Sequence, residues 1–248
     1  MKFEILMSTF NGEKYIKTQI DSILNQTYTN WKISIADDAS KDKTLEIIQS
    51  YSNENNKISF YKNTKRLGPL ISFYNLLQQS DADYVIFCDQ DDIWAPYKLE
   101  RIYRYISKSK NKIIFGLHNG KFLVDKNSFV KFEKRLIKDK DIIFEKKPKL
   151  NFHNLIFSNN VIGCMTFGNC RQLKKIINKK PPQNEGLFLD YCIALNISLF
   201  KEIKYIDENL INYRRHINNA TLHNRSLLKK LRTRIIIIIY LIFNKLGI

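Results

Sequence analysis

The apolar stretch "YVIFC", Tyr84–Cys88, stops at Asp89, and Asp91 and Asp92 follow within the next three residues of "DQDDIW". Three carboxylates this close repel one another unless positive charge sits among them. Asp-x-Asp at the end of a buried strand sets two carboxylates side by side, a suitable pair for a hard divalent cation such as Mn2+ or Mg2+. A cation held there grips the oxygens of a diphosphate. An EF-hand is excluded, because the sixth position counted from Asp89 is Trp94 where that loop needs Gly. A phosphatase-like hydrolase with Asp89 as its nucleophile has the same spacing and stays open.

Three other positions have the chemistry to join such a site. Asp38, in the strand-closing turn "ADDAS", can accept a hydrogen bond from the imide N–H of a uracil or thymine base, although Ser40 or Asp42 would equally serve as a helix cap there. His216, in "NYRRHINN", is a usable metal ligand, and Arg214 and Arg215 beside it suit phosphate oxygens. His118, His153 and His223 have no such company. Asp190 stands in the otherwise apolar helix pattern "GLFLDYCIALNISLF", where apolar neighbours raise a carboxyl pKa toward the range of a general base; a helix-start cap is the simpler role.

The elements that must position these residues follow from periodicity. Phe3–Ser8 reads as a strand, and Ile16, Ile20, Ile23 and Leu24 recur at helical spacing after it. Trp31, Ile33 and Ile35 alternate as a second strand, followed by a helix carrying Leu45, Ile47 and Ile48. Ile58–Tyr61, a helix opened by Pro69, and Tyr84–Cys88 repeat the unit. Strands alternating with helices predict an α/β fold with a mostly parallel sheet covered on both faces, its ligands at the carboxyl ends of the strands. "STFNG", "DDAS" and "DQDD" all fall at such ends. Beyond a helix carrying Leu99, Ile102 and Ile106 the pattern weakens. Asn119-Gly120 reads as a turn between two short strands, residues 126–150 as irregular, Val161–Phe167 as a strand, Leu187–Phe200 as a helix, and Ile203–Ile206 and Leu210–Tyr213 as two strands.

The 248 residues are 44% hydrophobic, enough for a sizeable core, and carry 41 Lys and Arg against 24 Asp and Glu, a net charge of +17. That balance points to an anionic partner. A basic nucleic-acid-binding protein satisfies the charge but lacks any recognisable base-reading motif, so no nucleic acid is expected. Cys88, Cys164, Cys170 and Cys192 form no CxxC pair and read as buried free thiols of a reducing compartment. The first residues, "MKFEILMSTF", lack the features of a signal peptide, which sets the expectation of a cytoplasmic protein.

Taken in order, "MSTFNGEKYIKTQIDSILNQTY", "ISIADDASKDKTLEII", "RLGPLISFYNLL", "DADYVIFCDQDDIWAPYKLE", "VIGCMTFG", "LDYCIAL" and "YIDENLINYRRHINNATL" closely resemble glycosyltransferase family 2, in particular its bacterial rhamnosyltransferase-like branch. The resemblance covers roughly residues 2–222. It implies a GT-A fold and a metal-dependent, inverting hexosyltransferase or rhamnosyltransferase that takes a sugar from a UDP- or dTDP-linked donor. The acceptor would be a hydroxyl of a glycan or lipid-linked glycan, in the synthesis of a bacterial surface polysaccharide. By the same resemblance Thr9 and Asp38 would face the nucleotide base, Asp89 and Asp91 would serve the ribose and a Mn2+ or Mg2+ ion, Asp190 would be the base, and His216 would help hold metal and diphosphate. Leu189 departs from the family, which commonly has an acidic residue or His before its base.

The expected organisation is a GT-A domain over residues 1–222 and a basic, apolar helical tail over residues 223–248. In the tail, Lys229, Lys230, Arg232 and Arg234 precede the apolar run Ile235–Phe243. Nine residues cannot cross a bilayer, which takes about 20. They suit an anionic membrane surface, peripherally on the inner face of the cell membrane, or else packing on the domain or on a second copy in a homodimer.

Overall fold

The computed structural model describes residues 1–124, 131–132, 135–136, 138, 141–183, 187–216 and 227–246. The boundary expected at 222/223 and His223 lie outside them. The chain alternates β1 (Phe3–Thr9), α1 (Ile16–Leu24), β2 (Trp31–Asp37), α2 (Thr44–Glu54), β3 (Ile58–Lys62), α3 (Pro69–Gln79) and β4 (Tyr84–Cys88). There follow β5 (Ile93–Trp94), α4 (Lys98–Lys108), β6 (Phe115–Val124) and the small hairpin of β7 (Lys131–Phe132) and β8 (Arg135–Leu136). Last come α5 (Phe152–Phe157), β9 (Thr166–Asn169), α6 (Cys170–Ile176), α7 (Leu189–Ser198), β10 (Lys204–Arg215) and α8 (Leu227–Leu246).

The main sheet has eight strands in the order β3-β2-β1-β4-β9-β6-β10-β5. The first four are parallel, β9 runs against both of its neighbours, β6 and β10 are parallel to each other, and β5 closes the edge antiparallel. The sheet is thus mostly parallel, as expected. Alternation within β1 divides the core. Phe3, Ile5 and Met7 pack with Ile16, Ile20 and Ile23 of α1 and Leu99 and Ile102 of α4, whereas Leu6 faces the opposite layer with Ile71 of α3, Leu173 of α6 and Ile193 of α7. The register sets Thr9 beside Asp37 and Met7 beside Cys88, so the loops after β1, β2 and β4 emerge together.

Three details differ from the periodicity. Asn119-Gly120 makes no turn. β6 runs straight through it, because a Cβ at Gly120 would stand 2.5 Å from Ile211 Cγ2 of β10, so the glycine permits close strand approach. The Asn119 amide clasps the backbone of Phe144 in both directions. The two strands expected at Ile203–Ile206 and Leu210–Tyr213 are one strand, β10, which begins at Lys204 and whose register against β6 shifts around Asn209. Val161–Phe167 is a strand only from Thr166, after a 3-10 turn at Gly163–Met165.

Candidate active site

The loops after β1 and β2 are laced together. Asn11 and Ala39 both adopt positive φ, 48° and 62°, bending each loop sharply after its strand. Asn11 N donates to Ser40 Oγ at 2.9 Å, Asn11 Oδ1 accepts from Lys41 N at 2.9 Å, and Gly12 N donates to Thr44 Oγ1 at 2.7 Å. Thr9 is buried, its hydroxyl donating to Asp37 Oδ1 at 3.1 Å. The Asp38 carboxylate is buried too. It accepts from Asn63 Nδ2 at 2.9 Å, Leu67 N at 2.7 Å and Gly68 N at 2.8 Å, holding the start of α3 against the end of β2.

Gln90, the middle residue of Asp-x-Asp, joins this rim to the loop after β4. Its Oε1 accepts from Phe10 N at 2.9 Å and its Nε2 donates to Phe10 O at 3.1 Å. A Cβ at residue 12 would fall 2.3 Å from Gln90 Oε1, so only glycine admits the clasp.

Across the loop, Asp91 Oδ2 lies 2.8 Å from His216 Nε2, at the end of β10. Arg214 fastens the same two segments: its backbone N donates to Asp92 Oδ1 at 2.9 Å and its Nε to Asp91 O at 2.8 Å. The Tyr15 ring packs on both, 4.8 Å from the His216 ring and 5.0 Å from the Arg214 guanidinium. Arg215 points the other way, as strand alternation requires, and donates to Tyr213 Oη at 3.2 Å from a buried position. The structure therefore brings Arg214 to the acidic loop and sets Arg215 beside Tyr213.

The remaining carboxylates are poorly compensated. Burial pushes the Asp89 carboxyl up to about 7, and the charges of Asp91 and then Asp190 push the same way. Burial, then Asp91 and Asp89, raise Asp92 well above the usual range, and its Oδ2 is buried with no hydrogen-bond partner. Cys164 Sγ and oxygens of Asp89 and Asp92 lie within 4.8 Å of one another. Burial and the two carboxylates keep that thiol protonated, which makes it a neighbour of the acids and a poor metal ligand. Beneath the loop lies Lys98, which periodicity overlooked because it begins the amphipathic helix α4. Its ammonium is fully buried, donates to Cys164 O at 3.0 Å and sits 3.7 Å from the Trp94 ring centroid. Burial lowers its pKa to about 8, partly opposed by the surrounding thiols and carboxylates.

Asp190 occupies the first turn of α7. Burial pushes its carboxyl up to about 7, against backbone N–H groups at the helix start that pull it down. Gly163 faces it: a Cβ there would lie 3.4 Å from Asp190 Cγ. All four cysteines are free and buried, as read from the sequence.

The profile of glycosyl transferase family 2 matches residues 4–203. The chain belongs to that family. An uncharacterised glycosyltransferase of Haemophilus influenzae is 30% identical over 88% of this chain and 66% of its own length. The Escherichia coli UDP-Glc:alpha-D-GlcNAc-diphosphoundecaprenol beta-1,3-glucosyltransferase WfgD is 28% identical over 65% of this chain and 57% of its own. Among solved structures, S. aureus TarS 1-349 in complex with UDP-GlcNAc superposes with a TM-score of 0.71 at 18% identity, covering 96% of this chain and 67% of that one. The mannosyltransferase PcManGT of Pyrobaculum calidifontis, solved with GDP-Man and Mn2+, superposes with a TM-score of 0.60 at 16% identity, covering 90% of this chain and 59% of that one. The fold is GT-A. The chain spans 66%, 57% and 42% of the length of three curated relatives it matches.

Proposed function

We propose that this glycosyltransferase is an inverting enzyme that moves a sugar from a UDP- or dTDP-linked donor to a hydroxyl of a glycan or lipid-linked glycan. The observation that carries this reading is the meeting of Asp91 and His216 at 2.8 Å on the strand-end rim, with the raised carboxyl of Asp190 close enough to act on Asp89. Asp91 and His216 offer an oxygen and nitrogen pair suited to Mn2+ or Mg2+, and Asp89, whose oxygens group with Asp92 and Cys164, would add a further carboxylate from the same loop. The residues thus fit a divalent cation, which when bound supplies positive charge for the departing nucleoside diphosphate.

The chain's own groups have separable tasks in this reading. Thr9 and Asp38 line the end of the sheet where the base docks, and Asp89 receives the ribose. Asp190 accepts the proton of the acceptor hydroxyl as its oxygen attacks the anomeric carbon from the face opposite the diphosphate, which inverts the configuration. Arg214, already anchored to the acidic loop, lends its charge to the phosphates. The donors named for TarS and PcManGT and the lipid-linked acceptor named for WfgD favour a nucleotide-sugar and a surface-glycan pathway here as well.

A thermal-shift panel of UDP, dTDP and GDP with and without Mn2+, followed by a donor screen read by mass spectrometry, tests the proposal. Stabilisation by one nucleotide only when metal is present is the expected result. Release of inorganic phosphate from phosphate esters without nucleotide selectivity would instead identify a hydrolase acting through Asp89.

A further inference from the structure

The helix α8 is divided lengthwise. Thr233, Ile237, Tyr240, Leu241 and Asn244 are buried, and Ile237, Tyr240 and Leu241 join the core layer that contains α3, α6 and α7. Polar bonds pin this face: Tyr240 Oη donates to Lys179 O at 2.8 Å, Asn244 Nδ2 donates to Ile176 O, and Arg234 Nη2 donates to Phe157 O at 2.7 Å. The opposite face consists of Leu228, Leu231, Ile235, Ile238, Ile239, Ile242 and Phe243, each between 40% and 79% exposed. An apolar stripe running the length of a docked helix exceeds what scattered surface leucines explain.

The charge of α8 says what covers the stripe. From Leu227 to Leu246 the sequence has Lys229, Lys230, Arg232, Arg234 and Lys245 and no acidic residue. Four of these cations lie in the first half of the helix, Lys229 and Lys230 in its first turn, where the helix dipole disfavours them and no acid stands. A second copy of α8 would bring its own cations and no carboxylate to pair with them. An anionic surface answers both the charge and the stripe. Among the described residues no helix is long and apolar enough to cross a membrane, which leaves an orientation in the plane of the interface.

We propose that the outward face of α8 lies on an anionic lipid surface, with Lys229 and Arg232 on the headgroups and Leu231, Ile235, Ile239 and Ile242 among the acyl chains. The inward face keeps the catalytic domain fastened to it. This inference stands apart from the chemistry of the site, because lipid binding is read without any transfer of sugar.

The test is co-sedimentation of the full chain with vesicles of phosphatidylcholine alone and of phosphatidylcholine mixed with phosphatidylglycerol. Partitioning onto the anionic vesicles, weakened by salt, is expected, with little onto the neutral ones. Each cation near the surface is worth roughly a fivefold factor in partitioning, so Lys229→Gln with Arg232→Gln lowers it by about 25-fold. Ile235→Asn with Ile239→Asn removes the insertion and should abolish sedimentation. Both pairs point outward, so both variants should melt near the wild-type temperature. The proposal fails if the protein ignores anionic vesicles, binds both kinds equally, or binds unchanged after either pair of substitutions. It also fails if ultracentrifugation finds a dimer that the Ile235/Ile239 pair dissociates while no lipid is bound.

Discussion

Two acidic loops close the strands on either side of β1, Asp37–Asp38 after β2 and Asp89–Asp92 after β4, and they handle their charge in opposite ways. Asp37 accepts from Thr9 Oγ1 and from Ser40 N, and Asp38 accepts from one side-chain amide and two backbone N–H groups. Donors surround these carboxylates, so they brace the rim. After β4, Asp91 meets His216 and Asp92 Oδ1 accepts from Arg214 N, but the other neighbours are carboxylates, a protonated thiol and one buried ammonium, and Asp92 Oδ2 has no hydrogen-bond partner. Residue type and strand-end position are the same; the supply of N–H groups differs. A loop left short of donors is destabilised in isolation and gains the most from a cation, and in this fold that loop is the one facing His216 and Asp190.

The largest expected effect lies at the third under-compensated carboxylate. Asp190→Asn should leave donor affinity near wild type and lower turnover at saturating acceptor by roughly 100-fold or more, the scale of a lost general base. A variant retaining most of its rate would make Asp190 a helix-start residue like any other, and the contrast between braced and reactive carboxylates would fail where it matters most. Next comes Asp91→Asn. A neutral amide is a much poorer partner for a hard cation, so nucleotide affinity in Mn2+ should fall by at least about tenfold while metal-free affinity hardly changes. Calorimetric titration with UDP or dTDP reads both.

How far the sequence carried this picture can be judged residue by residue. The parallel half was legible because buried strands and amphipathic helices alternate from Phe3 to Cys88, each closed by a polar turn. The order of motifs was legible enough to identify the family. Beyond Lys108 the code is less local. Gly120 looks like a turn residue until Ile211, far along the chain on β10, is seen to need the space, and β10 hides its continuity behind the polar residues Asp207, Glu208 and Asn209. Within the site, the acids and His216 announced themselves by type. Gln90, Gly12 and Lys98 did not, because their meaning rests on partners distant in the chain: Phe10 for Gln90, Gln90 for Gly12 and Cys164 for Lys98. "APYKLE" gives a lysine at a helix start, which ordinarily points to water.

A sharper form of the comparison applies one chemical change to each loop of the metal-free protein. Asp38→Asn replaces an acceptor oxygen with an NH2 that must face Leu67 N, Gly68 N or Asn63 Nδ2, leaving a buried donor unpaired, and should cost about 1–3 kcal/mol in denaturant unfolding. Asp92→Asn keeps an oxygen for Arg214 N and replaces the oxygen that has no partner, so its cost should be close to zero. Equal losses in the two variants would show that the loops are held alike.

A pH dependence spreads the Asp190 effect over several units, and its sign separates catalysis from stability at a single group. With the Asp190 carboxyl raised to about 7 by burial, its base form is lost as pH falls, so kcat/KM should drop about tenfold per unit below that value. Stability runs the other way. The folded chain holds a proton there that the unfolded chain, with an ordinary carboxyl, releases near pH 4. The stability contributed by the protonated form is therefore complete below about pH 4 and lost as pH rises through about 7, with a slope of at most about 1.4 kcal/mol per unit for one group. Asp190→Asn should remove one group's share of that slope from an unfolding series between pH 4 and 8. If the slope is unchanged in the variant, or the activity limb lies below pH 5, the Asp190 carboxyl is solvated like a surface acid, and its burial beside Gly163 is not what tunes it.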